Sequence, residues 1–174
     1  MLWAEFRQGD RLAYSQLIKQ LYRPLYQYGC RLDVRRDLVK DCIHDLFVDL
    51  WEHRATLSEA QSVRFYVLSP LRRRIFRDKK KNKWFTEANE IQDEHGFDLE
   101  LTVENQLIKW QDDCQASSRL QVVMSRLTKR QYEAIHLRFF QQLAYMDVAA
   151  ILGINYRSTV NLFFSALQQL RRDW

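Results

Sequence analysis

The stretch AYMDVAAILGINYRSTVNLFFSALQQLRR, residues 144–172, decides how this chain is built. Ala144–Leu152 carries Val148, Ala149, Ile151 and Leu152 at helical spacing, and Ala149 is small where two helices would cross. Gly153 supplies the permissive backbone that ends this helix. Asn155 is a good N-cap for the next one, because its side-chain oxygen accepts an orphan N–H. In Tyr156–Arg172 the spacing predicts a buried stripe of Thr159, Leu162, Phe163, Ala166, Leu167 and Leu170. Tyr156, Arg157, Ser158, Val160, Asn161, Phe164 and Ser165 fall on or near the outer face. A short helix, a glycine turn and a longer helix ending in two arginines read as a helix-turn-helix. Leu127–Gln131 opens the helical run before it, with Thr128 and Gln131 spaced as a capping box.

Charge divides the 174 residues more clearly than length does. Residues 1–83 hold 18 Lys and Arg against 10 Asp and Glu, a net of +8. Residues 84–116 hold 1 against 9, a net of −8, and residues 117–174 hold 8 against 3, a net of +5. Two basic blocks flanking an acidic connector suit a polyanionic partner, with the acidic piece mimicking or repelling it. Four Gly and two Pro predict helices throughout and leave no glycine-rich phosphate loop. Cys30, Cys42 and Cys114 are odd in number and lack metal spacing, and His44, His53, His95 and His136 do not pair with them. They read as free thiols in a reducing compartment. With no signal-peptide pattern and no apolar run of membrane length, the expectation is a cytoplasmic protein.

In the N-terminal block, residues 10–31 predict an amphipathic helix or helix pair around Leu12, Leu17, Ile18, Leu21, Leu25, Tyr26 and Tyr28, with a break before Pro24. Asp37 is placed to cap the next helix. That helix carries Leu38, Val39, Cys42, Ile43, Leu46, Phe47, Leu50 and Trp51 as adjacent pairs every four residues, a wide apolar stripe. Its other side holds Asp41, Asp45, Asp49 and Glu52. Like charges at that spacing repel by a few tenths of a kcal/mol per pair, so the face reads as solvated or as docking onto a basic partner. Residues 54–63 predict a loop. From Val63 a further helix carries Phe65, Tyr66, Leu68, Leu71, Ile75 and Phe76, with Pro70 kinking it or marking its start. Arg72, Arg73, Arg74, Arg77, Lys79, Lys80, Lys81 and Lys83 crowd its end, more cations than a helix dipole requires. Most of Phe65, Tyr66, Phe76, Trp84 and Phe85 are expected to be buried, leaving the cationic run to track phosphates.

These segments together resemble a known family. Asp41-Cys-Ile-His-Asp-Leu-Phe-Val-Asp-Leu-Trp51 is similar to the polymerase-clamp-binding helix of bacterial sigma factors, and Leu127–Arg172 is similar to their promoter-reading helix-turn-helix. The resemblance covers about residues 5–83 and 118–172. It points to the extracytoplasmic-function group, and Asn155-Tyr-Arg-Ser with Asn161-Leu-Phe-Phe resembles versions frequent in Bacteroidetes.

The resemblance implies an all-α fold of two small helical domains joined by a flexible acidic linker. Residues 1–83 would bind polymerase and open the minus-ten element, 84–116 would be the linker, and 117–174 would read the minus-thirty-five element. It implies polymerase contacts at Asp41, His44, Asp45, Val48, Asp49 and Glu52. Minus-ten contacts fall to Leu57, Ser58, Phe65, Tyr66, Arg72, Arg73, Arg74, Arg77 and Lys80. Minus-thirty-five contacts fall to Tyr156, Arg157, Ser158, Val160, Asn161, Phe164, Ser165, Arg171 and Arg172. The implied partners are core RNA polymerase through its clamp and flap, promoter DNA, and an anti-sigma factor of a kind that can be membrane-bound. No catalytic residue, metal, cofactor or small-molecule substrate is implied.

The chain departs from the family pattern in several places. His44 stands where Gln is usual, which weakens that contact or makes it pH-sensitive. Thr128 stands where Pro is common, and Ala144 replaces a Ser cap. Val160 and Ser165 occupy outer positions that are often basic, so low affinity for free duplex DNA is expected.

Two other classes share some of these residues. A stand-alone helix-turn-helix regulator with an N-terminal sensing or dimerising half would bind duplex DNA alone and leave the Asp41–Glu52 face unused. A helical enzyme acting on nucleic acid would need converging carboxylates for a metal, and Asp41, Asp45 and Asp49 lie along one helix.

Overall fold

The computed structural model describes residues 2–33, 35–57, 62–83 (side chains to 81) and 122–174. Every regular element among the described residues is helical, and the chain divides into two compact units, Met1–Gln92 and Asp93–Trp174.

Unit 1 contains α1 (Leu2–Arg7), α2 (Arg11–Leu32), α3 (Arg36–Glu52), one 3-10 turn (Arg54–Thr56) and α4 (Val63–Lys83). The Asp10 carboxylate starts α2 by accepting from the Leu12 and Ala13 N–H groups at 2.7 and 3.2 Å. α2 is a single helix, not a pair, and runs straight through Pro24. An internal proline costs about 3 kcal/mol or more. The buried Leu21, Leu25 and Tyr28 on either side offset it, each such side chain contributing about 1.5–3 kcal/mol. Asp37 does not cap α3. The helix begins one residue earlier, at Arg36, and the carboxylate that serves its entry is Asp33, which accepts from the Arg35 N–H at 2.9 Å.

α3 presents Val39, Cys42, Ile43, Leu46, Phe47 and Leu50 to the core, as its paired spacing predicts. It crosses α2 closely at Gly29, where an added Cβ would lie 2.6 Å from Val39 Cγ1. The Tyr14 hydroxyl donates to the Phe47 carbonyl at 2.7 Å and fixes the same pair of helices further along. α4 completes the bundle with Val67, Leu68, Leu71 and Ile75, and Pro70 lies within it rather than at its start. Three expectations fail on burial. Leu12 is 75% exposed because it sits on the outer side of the first turn of α2. Leu57, by contrast, is buried at the end of the 3-10 turn. Phe65, Tyr66 and Phe76 are half-buried rather than buried; Trp84 and Phe85 lie outside the described residues.

Unit 2 contains α5 (Lys129–Ile135), continued by a π turn (His136–Phe140), then α6 (Tyr145–Leu152) and α7 (Tyr156–Asp173). Thr128 and Gln131 form the capping box: Thr128 Oγ1 accepts from the Gln131 N–H at 3.2 Å, and Gln131 Oε1 accepts from the Thr128 N–H at 2.9 Å. Gly153 ends α6 in the left-handed conformation, φ 65°. Asn155 Oδ1 accepts from the Ser158 N–H at 2.7 Å and starts α7. At the head of α6, Ala144 has no side chain to cap with. The Asp147 carboxylate accepts from the Ala144 N–H at 3.4 Å instead. Val148, Ala149, Ile151 and Leu152 of α6 face Thr159, Phe163 and Ala166 of α7 in the core. Leu167, expected in that stripe, is 45% exposed.

Candidate nucleic-acid and partner interfaces

On unit 1 the outer side of α3 exposes Asp41, His44, Asp45, Val48 and Glu52. Asp49 differs from the rest of this set. Its carboxylate pairs with the Arg74 guanidinium of α4, so part of its charge serves the bundle. A groove between α2 and α3, lined by Tyr14, Ile18, Tyr22, Lys40, Asp41, His44 and Val48, runs beside the acidic face. The face therefore combines an apolar floor with the exposed carboxylates Asp41, Asp45 and Glu52, the composition of a docking surface for a basic, amphipathic partner.

The cationic end of α4 sorts into two groups. Arg74 is held by Asp49. Lys79 donates to the Leu32 carbonyl at the end of α2 and lies 3.9 Å from the Asp33 carboxylate. Asp33 is itself gripped at both oxygens by Arg35, at 3.1 and 2.7 Å. Burial pushes the Asp33 pKa up, but the hydrogen bonds from Arg35 and the charge of Lys79 outweigh it and hold the carboxyl below its ordinary value. Arg72 is half-buried with its guanidinium 4.6 Å over the Phe76 ring. These three cations are structural. Arg73, Arg77, Lys80 and Lys81 are exposed, and their steps of four, three and one place them along one side of the helix. Of the minus-ten set, Arg73, Arg77 and Lys80 are therefore brought together in solvent, while Arg74 is not free for phosphate. Lys81 belongs with them. Its membership was legible only as part of the run, because nothing local distinguishes it from Lys79.

Leu57 cannot read bases, since it is buried in the core, and Ser58 lies outside the described residues. Phe65 and Tyr66 are half-buried at the start of α4. The Tyr66 ring packs 5.4 Å from Trp3, which continues through Phe6 and Tyr14 to Trp51. Arg54 closes this aromatic cluster with its guanidinium 4.5 Å over Trp51. The α4 start is thus stiffened by ring packing.

Cys42 is buried, and burial together with the nearby Asp78 carboxylate pushes its thiol pKa up to about 11. The thiol donates to Asp78 at 3.6 Å and stays protonated at neutral pH. Cys30 and Cys42 are free thiols; Cys114 lies outside the described residues. Among the described residues no group of three or more His, Cys, Asp or Glu side chains is placed to hold a metal ion. No helix there is long and apolar enough to cross a membrane.

On unit 2, α7 exposes Tyr156, Arg157, Ser158, Val160, Asn161, Phe164, Ser165, Arg171 and Arg172. Ser165 is tied up, however. Its hydroxyl donates to the Leu162 carbonyl at 3.0 Å and accepts from Gln131 Nε2 at 3.0 Å, so it has no hydrogen to offer a base. The acidic residues among the described part of this unit are all engaged. Glu133 is buried, Asp147 holds the Ala144 N–H, and Asp173 meets Arg126 and Arg172 at 3.7 and 3.4 Å. The outer face of α7 thus carries cations at both ends and no opposing carboxylate beyond Asp173. Sequence reasoning missed a second feature, the exposed Phe139, Phe140 and Met146 around the π turn. Nothing in a 3.6-residue pattern announces a π turn, which rotates two aromatics out of the expected helical phase.

No family model matches this chain, and no curated protein matches it. Among solved structures it is similar to CnrH, solved in complex with the cytosolic domain of CnrY, at 16% identity and a TM-score of 0.60, covering 98% of this chain and 93% of that one. It is similar as well to the sigma factor RpoE, solved in complex with the anti-sigma factor NepR from Bartonella quintana. There the identity is 17% and the TM-score 0.61, covering 92% of this chain and 95% of that one. A capped helix-turn-helix in one unit and an acid-faced, cation-ended bundle in the other accordingly sit in a chain with the all-helical fold of that sigma factor.

Proposed function

We propose that this chain is an extracytoplasmic-function type RNA polymerase sigma factor, which directs core polymerase to particular promoters and helps to open them. One observation carries the reading. Residues 2–81 expose an acidic helix face and a separate cationic row, residues 122–174 expose a polar, partly cationic outer face on the second helix of a helix-turn-helix, and the fold likeness to the sigma factor RpoE spans 92% of the chain. A stand-alone regulator has no use for the first two surfaces.

In this reading Asp41, His44, Asp45 and Val48 on α3, with Glu52, dock onto the polymerase clamp. Phe65 and Tyr66 contact unstacked bases of the minus-ten element, and Arg73, Arg77, Lys80 and Lys81 run along the phosphates. The head of α7 enters the major groove at the minus-thirty-five element, where Arg157, Ser158 and Asn161 reach base edges and Arg171 and Arg172 touch backbone. Residues 84–116 serve as an acidic linker between domains 1–83 and 117–174. The protein acts by binding rather than catalysis, works in the cytoplasm and is held in check by an anti-sigma factor, the kind of partner with which the neighbour RpoE was solved.

The test is co-elution of the purified chain with core RNA polymerase, followed by transcription from a promoter library. Stable association and promoter-dependent transcripts are expected. Failure to associate, together with tight binding of a palindromic duplex by the chain alone, would overturn the proposal in favour of a stand-alone regulator.

A further inference from the structure

The solvent side of α4 does not end at its cations. Tyr66, Pro70, Arg73, Arg77 and Lys80 follow one another at steps of four, three, four and three, so a single side of the helix carries an aromatic ring at its head and the cationic row behind it. Tyr66 and Arg73 are seven residues apart, a rise of about 10.5 Å. That is the span of about three nucleotides of one strand at about 3.4 Å each. A strand whose phosphates follow Arg77 and Arg73 therefore reaches Tyr66 and runs on past the head of α4.

The ring it meets next belongs to α1. Trp3 lies 5.4 Å from Tyr66 between ring centroids and is braced by Phe6 at 5.3 Å, which is itself buried. Trp3 is only half-buried, so part of its indole stays open to solvent. One helical turn further on, four residues from Trp3 and on the same side of α1, stands Arg7. Its Nε–H is buried with no hydrogen-bond partner among the described residues. A covered, unpaired donor is unfavourable, and an acceptor that draws the guanidinium outward relieves it. Glu5 is exposed, but it lies two residues from each of Trp3 and Arg7 and hence on the opposite side of the helix. Asp10 is occupied in capping α2.

We propose that α1 prolongs the single-strand track of α4: an unpaired base beyond the one at Tyr66 stacks on Trp3, and Arg7 takes the phosphate next to it. The inference rests on the sigma-factor reading above and gives a task to a helix which that reading leaves idle. Trp3 stands ahead of residues 5–83, where the family resemblance begins. The occupant is an unpaired strand rather than a duplex, because a ring stacks on base faces that pairing and stacking keep hidden. Every base has such a face, so the contact lengthens the footprint without adding a sequence preference.

The test uses the full chain with core RNA polymerase and fluorescent fork-junction DNA, made from a promoter recovered by selection, with one strand left unpaired. Abasic sites placed along that strand in turn should cost the parent at least about five-fold in affinity at two neighbouring positions, the worth of a stacked base at each. Trp3→Ala should erase the penalty at one of them and keep the other, and Trp3→Phe should retain part of both. Arg7→Gln should lower the slope of log affinity against log salt by about 0.7 on the full strand. It should leave the slope unchanged once the strand is trimmed short of the Trp3 position. The inference falls if Trp3→Ala weakens binding but leaves both penalties in place, the mark of a merely structural ring, or if Arg7→Gln keeps the parent's slope on the full strand. It falls equally if either variant loses association with core polymerase in the absence of DNA, which would make this side of α1 a polymerase contact. A parent that binds no fork at all would overturn the sigma-factor reading itself, together with the inference built on it.

Discussion

Arg74 and Arg77 are three residues apart on α4, yet their surroundings differ. Arg77 is exposed beside Arg73 and Lys80, whereas the Arg74 side chain is 20% exposed and held by Asp49. Replacing Arg73 and Arg77 by Gln should remove two phosphate contacts. Each contact contributes about 0.7 to the slope of log affinity against log salt for a single strand and about 0.9 for a duplex. Two contacts across a rise from 50 to 200 mM salt therefore amount to a change of about 7- to 12-fold that the variant should no longer suffer. Arg74→Gln should leave the slope unchanged and lower the stability of unit 1 instead. Because Asp49 is half-exposed, the loss should be modest, about 0.5–1 kcal/mol. Binding of fluorescent promoter DNA by the chain with core polymerase, titrated over that salt range, reads the slope. Hydrogen exchange of peptides from α3 and α4 reads stability. If Arg74→Gln flattens the slope as much as Arg77→Gln does, the division into structural and DNA-facing cations is wrong.

Three further outcomes follow from the same geometry. Asp41→Lys with Asp45→Lys should leave folding intact and weaken association with core polymerase, measured by co-elution, whereas Asp49→Lys should destabilise unit 1 by setting a cation against Arg74; equal effects of the two on folding would count against the pairing. Gly29→Ala should destabilise unit 1 by about 1–3 kcal/mol through overpacking against Val39, partly relieved by Val39→Ala, and a gain in stability from helix propensity alone would refute the close crossing. The Asp33 carboxyl has a lower pKa folded than its ordinary 3.8, so its stabilisation is complete above that value and drains away as pH falls through the folded one. Asp33→Asn should therefore flatten the acid limb of the urea midpoint below about pH 4, and an unchanged limb would place the sensitivity elsewhere.

The helix-turn-helix was legible almost to the residue because its punctuation is local. Gly153, Asn155 and the Thr128–Gln131 box act on backbone groups within three residues of themselves. The α3 stripe was legible for the same reason, since its pairs share one face of one helix. What escaped is non-local. Arg74 and Lys79 find their partners 25 and 47 residues away, so no pattern within the cationic run marks them as structural. Asp33 displaced Asp37 at the start of α3 because a carboxylate just outside a helix reaches its entry as readily as one within it. Leu57 took a core position that a loop composition does not suggest, and Leu167 lost one although Gln169 and Asp173 beyond it still meet Arg126.

The Gln131 side chain closes the cap of α5 with its oxygen and grips Ser165 of α7 with its nitrogen. A single amide thereby ties the roll of α7 about its own axis to the cap of α5. In the proposed sigma-factor reading, a residue set back from the DNA would help to govern which side chains of α7 point into the groove. On that reading, promoter preference would drift through changes at position 131 or 165 while the proposed base-contacting residues stayed the same. Conversely, transplanting the proposed contacts Arg157 and Asn161 into a protein with a different cap would carry over the side chains without the angle at which the helix presents them.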